Sequence, residues 1–166
     1  MARQRIKSLM GLPSTSFSIS RATLILTDGT PTGFFVGMGG DECRRRHRVF
    51  GLVVLKEAGR EERASLAARL KTGQGLAPEV EADVFFLSGL AVAPEYRGQG
   101  LGRALLNEYL ATGRRGGFRR FELSVFERST KAVRLYESAG FRVVRRSTIP
   151  QTGTGFLSMA LEESNP

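Results

Sequence analysis

The 166 residues are 41% hydrophobic and 25% charged, the make-up expected of one globular domain with a substantial core. Twenty-five basic residues against 16 acidic ones leave a net charge of +9, which favours polyanionic partners: a phosphorylated cofactor, an acidic substrate or nucleic acid. The single Cys43 excludes an intrachain disulfide, no run nears the roughly 18 apolar residues of a membrane span, and the basic N-terminus (Arg3, Arg5, Lys7) has no signal-like apolar stretch, so a cytoplasmic location without a membrane partner is expected.

Arg21–Thr27 reads as a strand, and Asp28-Gly29 is a turn signal. Thr32–Met38 reads as the second strand of a hairpin, ended by Gly39-Gly40. The character changes from Asp41 to about Gly75. Val49–Leu55 is ambiguous between strand and helix and is read as helix, because Phe50, Val53 and Val54 share a face. Glu61–Leu70 has a stripe at Leu66, Ala67 and Leu70 and reads as an amphipathic helix, with Gly73, Gly75 and Pro78 marking a connection after it. Cys43 and His47, four apart, are the one pair that suggests a metal, but no carboxylates fall at a spacing that completes a set. No metal is expected, and the segment reads as solvated and arginine-rich.

Val84–Val92 is the most apolar strand and is expected to be central, with Gly89 marking a bulge or a close backbone approach and Pro94 ending it. Gly100–Ala111 carries Leu101, Ala104, Leu105 and Tyr109 at helical spacing, with Gly113 as its stop. Phe121–Phe126 is the next strand. Ser129–Ser138 is a helix with Ala132, Val133, Leu135 and Tyr136 inside and Ala139-Gly140 as its C-terminal signal. Phe141–Arg145 and Gly155–Leu161 are the last strands. This order predicts a mixed α/β sheet with a strand–helix–strand crossover. A single domain over residues 1–166 is expected, with a helical insertion at about 41–75.

The chemistry concentrates between Leu90 and Leu106, where a buried strand passes through a short loop into a helix. Gly98, Gly100 and Gly102 leave the backbone unobstructed, so successive N–H groups can share one concavity at a helix N-terminus. Arg97 and Arg103 add full positive charges. These features suit a phosphate or pyrophosphate, although a plain glycine-rich turn has the same glycines. A dinucleotide fold needs Gly or Ala where Arg103 stands, and a Walker A loop needs a Gly-Lys-Ser/Thr that is absent.

Arg97-Gly98-Gln99-Gly100-Leu101-Gly102, led by Leu90-Ala91-Val92, Pro94 and Tyr96, resembles the cofactor motif of the GCN5-related N-acetyltransferase (GNAT) family. Ala132-x-x-Leu135-Tyr136-x-x-x-Gly140-Phe141 resembles the family's second signature. Together the two span Val84 to about Leu161, with the Arg21–Met38 hairpin fitting the earlier strands. The resemblance implies a mostly antiparallel sheet with one parallel, splayed strand pair and flanking helices, and acetyl transfer from acetyl-CoA, without a metal, to a primary amine. It implies that backbone of Leu90, Ala91 and Val92 binds the pantetheine arm and that residues Arg97 through Gly102, with Arg103, hold the pyrophosphate. Ser129 replaces the Asn common in the family and implies a cofactor contact or a helix cap. Tyr136 is implied as the acid that protonates the departing thiolate.

Many relatives use a glutamate base on a splayed strand, but the corresponding positions hold Phe86 and Ser124. Glu81, Asp83, Glu122 and Glu127 read as solvated strand-end charges, and water is left as the proton relay. The motifs do not name the acceptor: a small molecule or a protein amine fits. The excursion at 41–75 is expected to shape the acceptor pocket or a homodimer contact. Two other functions compete, a CoA-binding regulatory domain without chemistry and a basic nucleic-acid-binding module. The arginine groups (Arg44–Arg46, Arg114–Arg115, Arg119–Arg120, Arg145–Arg146) lack interleaved aromatics and a helix-turn-helix, which sets nucleic acid last.

Overall fold

The computed structural model describes residues 21–59, 63–64, 80–149 and 153–164. Strands β1 (Ala22–Thr27) and β2 (Thr30–Gly39) form the expected hairpin. Asp28 and Gly29 both have positive φ (51° and 76°), the mirror-image turn whose twist suits two antiparallel strands. β2 starts two residues earlier than expected, because Thr30 and Pro31 already pair with Thr27 and Leu26.

Helix α1 (Gly40–Glu57) follows β2 without a loop. A Cβ at Gly40 would lie 1.8 Å from the Glu81 carbonyl oxygen, so only glycine lets the chain turn there. The segment read as helix at Val49–Leu55 is the latter part of this one continuous helix. The expected helix Glu61–Leu70 and the connection through Gly73, Gly75 and Pro78 lie largely or wholly outside the described residues.

The reading of the Cys43–His47 segment as solvated is corrected. Cys43 is fully buried and His47 nearly so, packed beside Val36, Met38, Val84 and Phe86. Residues four apart share a helix face, and α1 lays this face on β2 and β3. Of the neighbouring arginines, Arg45 is exposed, the half-buried Arg46 pairs with Glu42 at 2.8 Å, and Arg44 pairs with Asp41.

Strand β3 (Val84–Val92) passes through a 3-10 turn at Pro94–Tyr96 into helix α2 (Leu101–Arg115). Then come β4 (Arg120–Phe126), helix α3 (Thr130–Glu137), β5 (Arg142–Ile149) and β6 (Thr154–Glu162). The sheet order is β1-β2-β3-β4-β6-β5; only β3 and β4 run parallel, as α2 carries the chain back between them. Gly113 does not stop α2, which runs on to Arg115 with Gly116 as its cap. Gly113 is instead a packing residue: a Cβ there would lie 2.4 Å from the Phe121 ring.

Helices α2 and α3 bury Leu105, Leu106, Tyr109 and Tyr136 against Phe85, Leu87, Phe121 and Leu123 of the central strands. The Tyr109 ring stacks on Phe85 (5.2 Å between centroids), and its hydroxyl donates to the Phe85 carbonyl. This core fixes where β3 and β4 meet, and therefore where they part.

Candidate functional site

The parallel ladder joins Val84–Leu87 to Arg120–Leu123 and then ends. On its other edge β3 slips register: Gly37 pairs with Leu87 but Val36 with Gly89, leaving Ser88 as the extra residue of a bulge. The bulge next to Gly89 turns the end of β3 away from β4, so Ser88–Val92 and Ser124–Phe126 flank an open wedge.

Backbone direction in that wedge follows from strand alternation. Ala93 N–H donates to the Thr32 carbonyl at 2.9 Å, and the Ala91 carbonyl also faces β2. The N–H and C=O groups of Leu90 and Val92 therefore face the opposite edge, toward the wedge. Leu90 and Val92 side chains pack on the core, and Ala91 is exposed. The Val92 carbonyl already accepts a bond from Arg97 Nε at 3.0 Å, which folds the arginine back onto the strand end.

Beyond Arg97 the loop turns on two left-handed glycines, Gly98 (φ 80°) and Gly100 (φ 84°), the latter at the N-cap of α2. A side chain at either position would be strained. Among the described residues, no carbonyl accepts from the N–H groups of Gly98, Gln99, Gly100, Leu101 or Gly102, while Arg103 and Ala104 already donate to Gly100. These donors point out of the first turn of α2, where an anion is favoured. Gln99 Nε2 bonds the Glu95 carbonyl at 3.3 Å and braces the loop from outside. Gly102 has ordinary φ; a Cβ there would touch Leu135 at 3.4 Å, so it sets the approach of α3.

Tyr136 sits on the inner face of α3, 7% exposed, with its ring 6.0 Å from Phe141. Burial pushes its phenol above the ordinary value of 10. No group among the described residues hydrogen-bonds its hydroxyl. A buried phenol normally finds a partner, and among the described residues this one has none. Ser129 occupies the N-cap of α3 but its side chain caps nothing; its carbonyl accepts from Ala132 and Val133 instead.

One carboxylate departs from its sequence reading as a solvated strand-end charge. Glu122 lies within β4, opposite Phe86 one rung before the ladder ends, and is half-buried. Burial pushes its carboxyl above the ordinary range; Arg120 and Arg145 oppose the shift, and Asp83 and Glu81 reinforce it. Asp83 does read correctly as an exposed charge, pairing with Arg120 at 2.9 Å.

Cys43 Sγ lies 3.3 Å from His47 Nδ1, and burial pushes the thiol up to about 12, so it stays protonated and unreactive. Among the described residues no three His, Cys, Asp or Glu side chains come together as a metal set, and no helix is long and apolar enough to cross a membrane.

A family model described as "Acetyltransferase (GNAT) family" matches residues 13–141. The [ribosomal protein bS18]-alanine N-acetyltransferase of Escherichia coli (strain K12) is 38% identical over 76 residues, 45% of this chain and 51% of that enzyme. The chain thus spans about half the length of that curated relative. A mycothiol acetyltransferase from Thermobispora bispora is 54% identical over 52 residues, 31% of this chain and 18% of that protein. In three dimensions the chain superposes on an N-acetyltransferase from Staphylococcus aureus Mu50 with a TM-score of 0.65, covering 95% of this chain and 79% of the other. At 14% identity, that likeness speaks for the fold.

Proposed function

The chain belongs to the acetyltransferase (GNAT) family, and from that premise we propose that it moves an acetyl group from acetyl-CoA to a primary amine by direct attack. The observation that carries this reading is the wedge: β3 parts from β4 after Leu87 and Leu123, with the donor-lined turn of α2 at its end and the unpartnered Tyr136 in the core cluster that also takes Val125, Leu90 and Val92.

The residues present fit such a co-substrate. Residues Gly98 to Gly102 offer their N–H groups to the pyrophosphate, with the positive charge of Arg97 and Arg103 close by. Leu90 and Val92 offer backbone groups to the amides of the pantetheine arm, as a neighbouring strand would. Ser129, whose hydroxyl caps no helix donor, is available to the same arm. Acetyl-CoA supplies an acyl carbon already activated by its thiol leaving group.

As the amine nitrogen bonds to that carbon, the carbon–sulfur bond breaks. The Tyr136 hydroxyl would give its proton to the sulfur and regain one from water, which also takes up the proton lost by the amine. Burial raises the phenol, which keeps it protonated for this step at neutral pH. The acceptor is a primary amine on a small molecule or protein, and the whole would work in the cytoplasm, where a lone reduced cysteine is at home.

Thermal-shift titration with acetyl-CoA, followed by an amine panel read by free-thiol release, tests the proposal. A stabilising shift and amine-dependent thiol release are expected. Binding without release for any amine, including peptides with N-terminal alanine, would leave a CoA-binding regulatory domain and overturn the enzymatic reading.

A further inference from the structure

Beside the wedge, β4, β6 and β5 present a face whose composition describes the acceptor. The register aligns Glu122 with Ala160 and Arg142 across the three strands, and Ser124 with Ser158 and Arg145 one step further. The next step aligns Phe126 with Phe156 and Ser147. Phe121, Leu123, Leu157 and Met159 alternate with these residues and point into the core beneath α2 and α3, so this set faces the other way. On that side α1 covers β2 and β3, while Phe126 remains 41% exposed and Ser124, Arg142 and Arg145 are exposed.

The two arginines share this face only because β5 is irregular. Residues three apart in a regular strand point to opposite faces. The register shift between Val143 and Arg145 absorbs Val144 and returns Arg145 to the side of Arg142. Most other arginines that flank the sheet are paired: Arg120 with Asp83, Arg114 with Glu163, Arg146 with Glu127. Among the described residues, Arg142 and Arg145 form no ion pair with a carboxylate. A half-buried carboxylate next to the wedge, with Arg120 Nη2 at 3.6 Å on one side of it, and two guanidinium groups that pair with no carboxylate two strands away therefore look out from one surface.

Building on the acetyl-transfer reading, we infer that this face seats the acceptor, with Glu122 drawing in the amine and Arg142 and Arg145 holding an anionic group of the same molecule. The strands lie about 4.8 Å apart and residues rise about 3.3 Å, so Cα of Arg145 stands roughly 12 Å from that of Glu122. Two long side chains reaching inward shorten that span to about the length of one or two residues of extended peptide. The occupant of this spacing is a peptide N-terminus with Asp or Glu at its second or third position. The net charge of +9 favours the same class of acceptor at long range.

The test pairs two peptides, Ala-Asp-Glu- and Ala-Lys-Lys- at their starts, with the wild-type protein and the doubly substituted Arg142→Glu, Arg145→Glu protein. The wild type is expected to prefer the acidic peptide in kcat/KM by about fivefold or more, the scale of one or two exposed ion pairs. The double variant is expected to lose or invert that preference, with an unchanged KM for acetyl-CoA and an unchanged melting temperature. Equal use of both peptides by the wild type, or an undiminished acidic preference in the double variant, overturns the inference. Failure of the transfer reading is distinct: no thiol is then released with either peptide or with any amine.

Discussion

Arg103 Nη2 donates to Ser138 Oγ at 2.7 Å, and Ser138 in turn donates to the Leu135 carbonyl at 2.7 Å. This exposed chain of bonds ties the first turn of α2, whose leading N–H groups meet no carbonyl among the described residues, to the end of α3, which carries Tyr136. The sequence reads Arg103 as a charge beside a pyrophosphate; its bond to Ser138 adds a brace between α2 and α3. Replacing Arg103 by Ala is expected to raise the KM for acetyl-CoA several-fold and to lower kcat as well. Ser138→Ala, which keeps the charge, is expected to affect kcat more than KM. Steady-state kinetics on the two variants separates the bracing from the charge.

Tyr136→Phe removes a buried hydroxyl that no described residue hydrogen-bonds, so no protein–protein bond is lost with it. The melting temperature is expected to stay level or rise, since an unpaired buried polar group carries a desolvation cost. Turnover is expected to fall at least about tenfold, the lower range for loss of a positioned acid, while acetyl-CoA affinity is retained. Calorimetry with CoA and single-turnover kinetics check both halves. Unchanged turnover removes Tyr136 from the chemistry.

Gly113 and Gly100 look alike in sequence but predict different losses. A methyl group at Gly113 would press on the Phe121 and Phe85 rings at 2.4 and 2.8 Å, so Gly113→Ala is expected to destabilise the fold by about 1–3 kcal/mol. A Cβ at Gly100 meets nothing within 4 Å, and its cost is conformational, about 1 kcal/mol for the left-handed backbone. Gly100→Ala should therefore melt only slightly earlier and lose acetyl-CoA affinity, whereas Gly113→Ala should melt clearly earlier with near-normal affinity at low temperature. Denaturant unfolding beside CoA titration resolves the two.

The parts of the site that lie close together in the chain were the parts legible beforehand. A glycine within an apolar strand marked the bulge at Ser88–Gly89, and the glycine spacing marked the turn into α2. Glu122 was not legible, because its burial depends on Phe86 across the ladder. The shared face of Arg142 and Arg145 depends on one irregular residue, which period-two reasoning cannot see. Cys43 and His47 were hidden by three consecutive arginines, which outweigh a two-residue apolar stripe in any composition window.

His47 gives the fold a dependence on pH. Its burial beside Phe86 lowers its pKa below 6.5, against a weaker opposing effect of its bond to the Cys43 carbonyl. The unfolded chain then binds the proton more readily than the folded one. Stability contributed by neutral His47 is complete above about 6.5 and is lost as pH falls from there toward the lowered folded value. Melting temperatures measured from pH 7.5 to 5 are expected to decline, with a shallower decline in His47→Gln. Parallel curves would assign the acid sensitivity to other groups.

Glu122 supplies the corresponding dependence in activity. The charged groups around it are Arg120 on its own strand, Asp83 and Glu81 ahead of β3, and Arg145 on β5; burial outweighs the two arginines and leaves the carboxyl raised. It therefore protonates at a higher pH than an ordinary glutamate near 4.3, and acidification removes the charge that draws in the acceptor. The acceptor's own amine, with a pKa near 8 in a peptide, protonates first in both wild type and variant. Below that value log kcat/KM is expected to fall with unit slope for Glu122→Gln. The wild type is expected to steepen toward a slope of two once Glu122 also titrates. A wild-type profile that keeps unit slope throughout would mean that the carboxylate takes no part in receiving the amine, and Arg142 and Arg145 would then have to orient the acceptor without it.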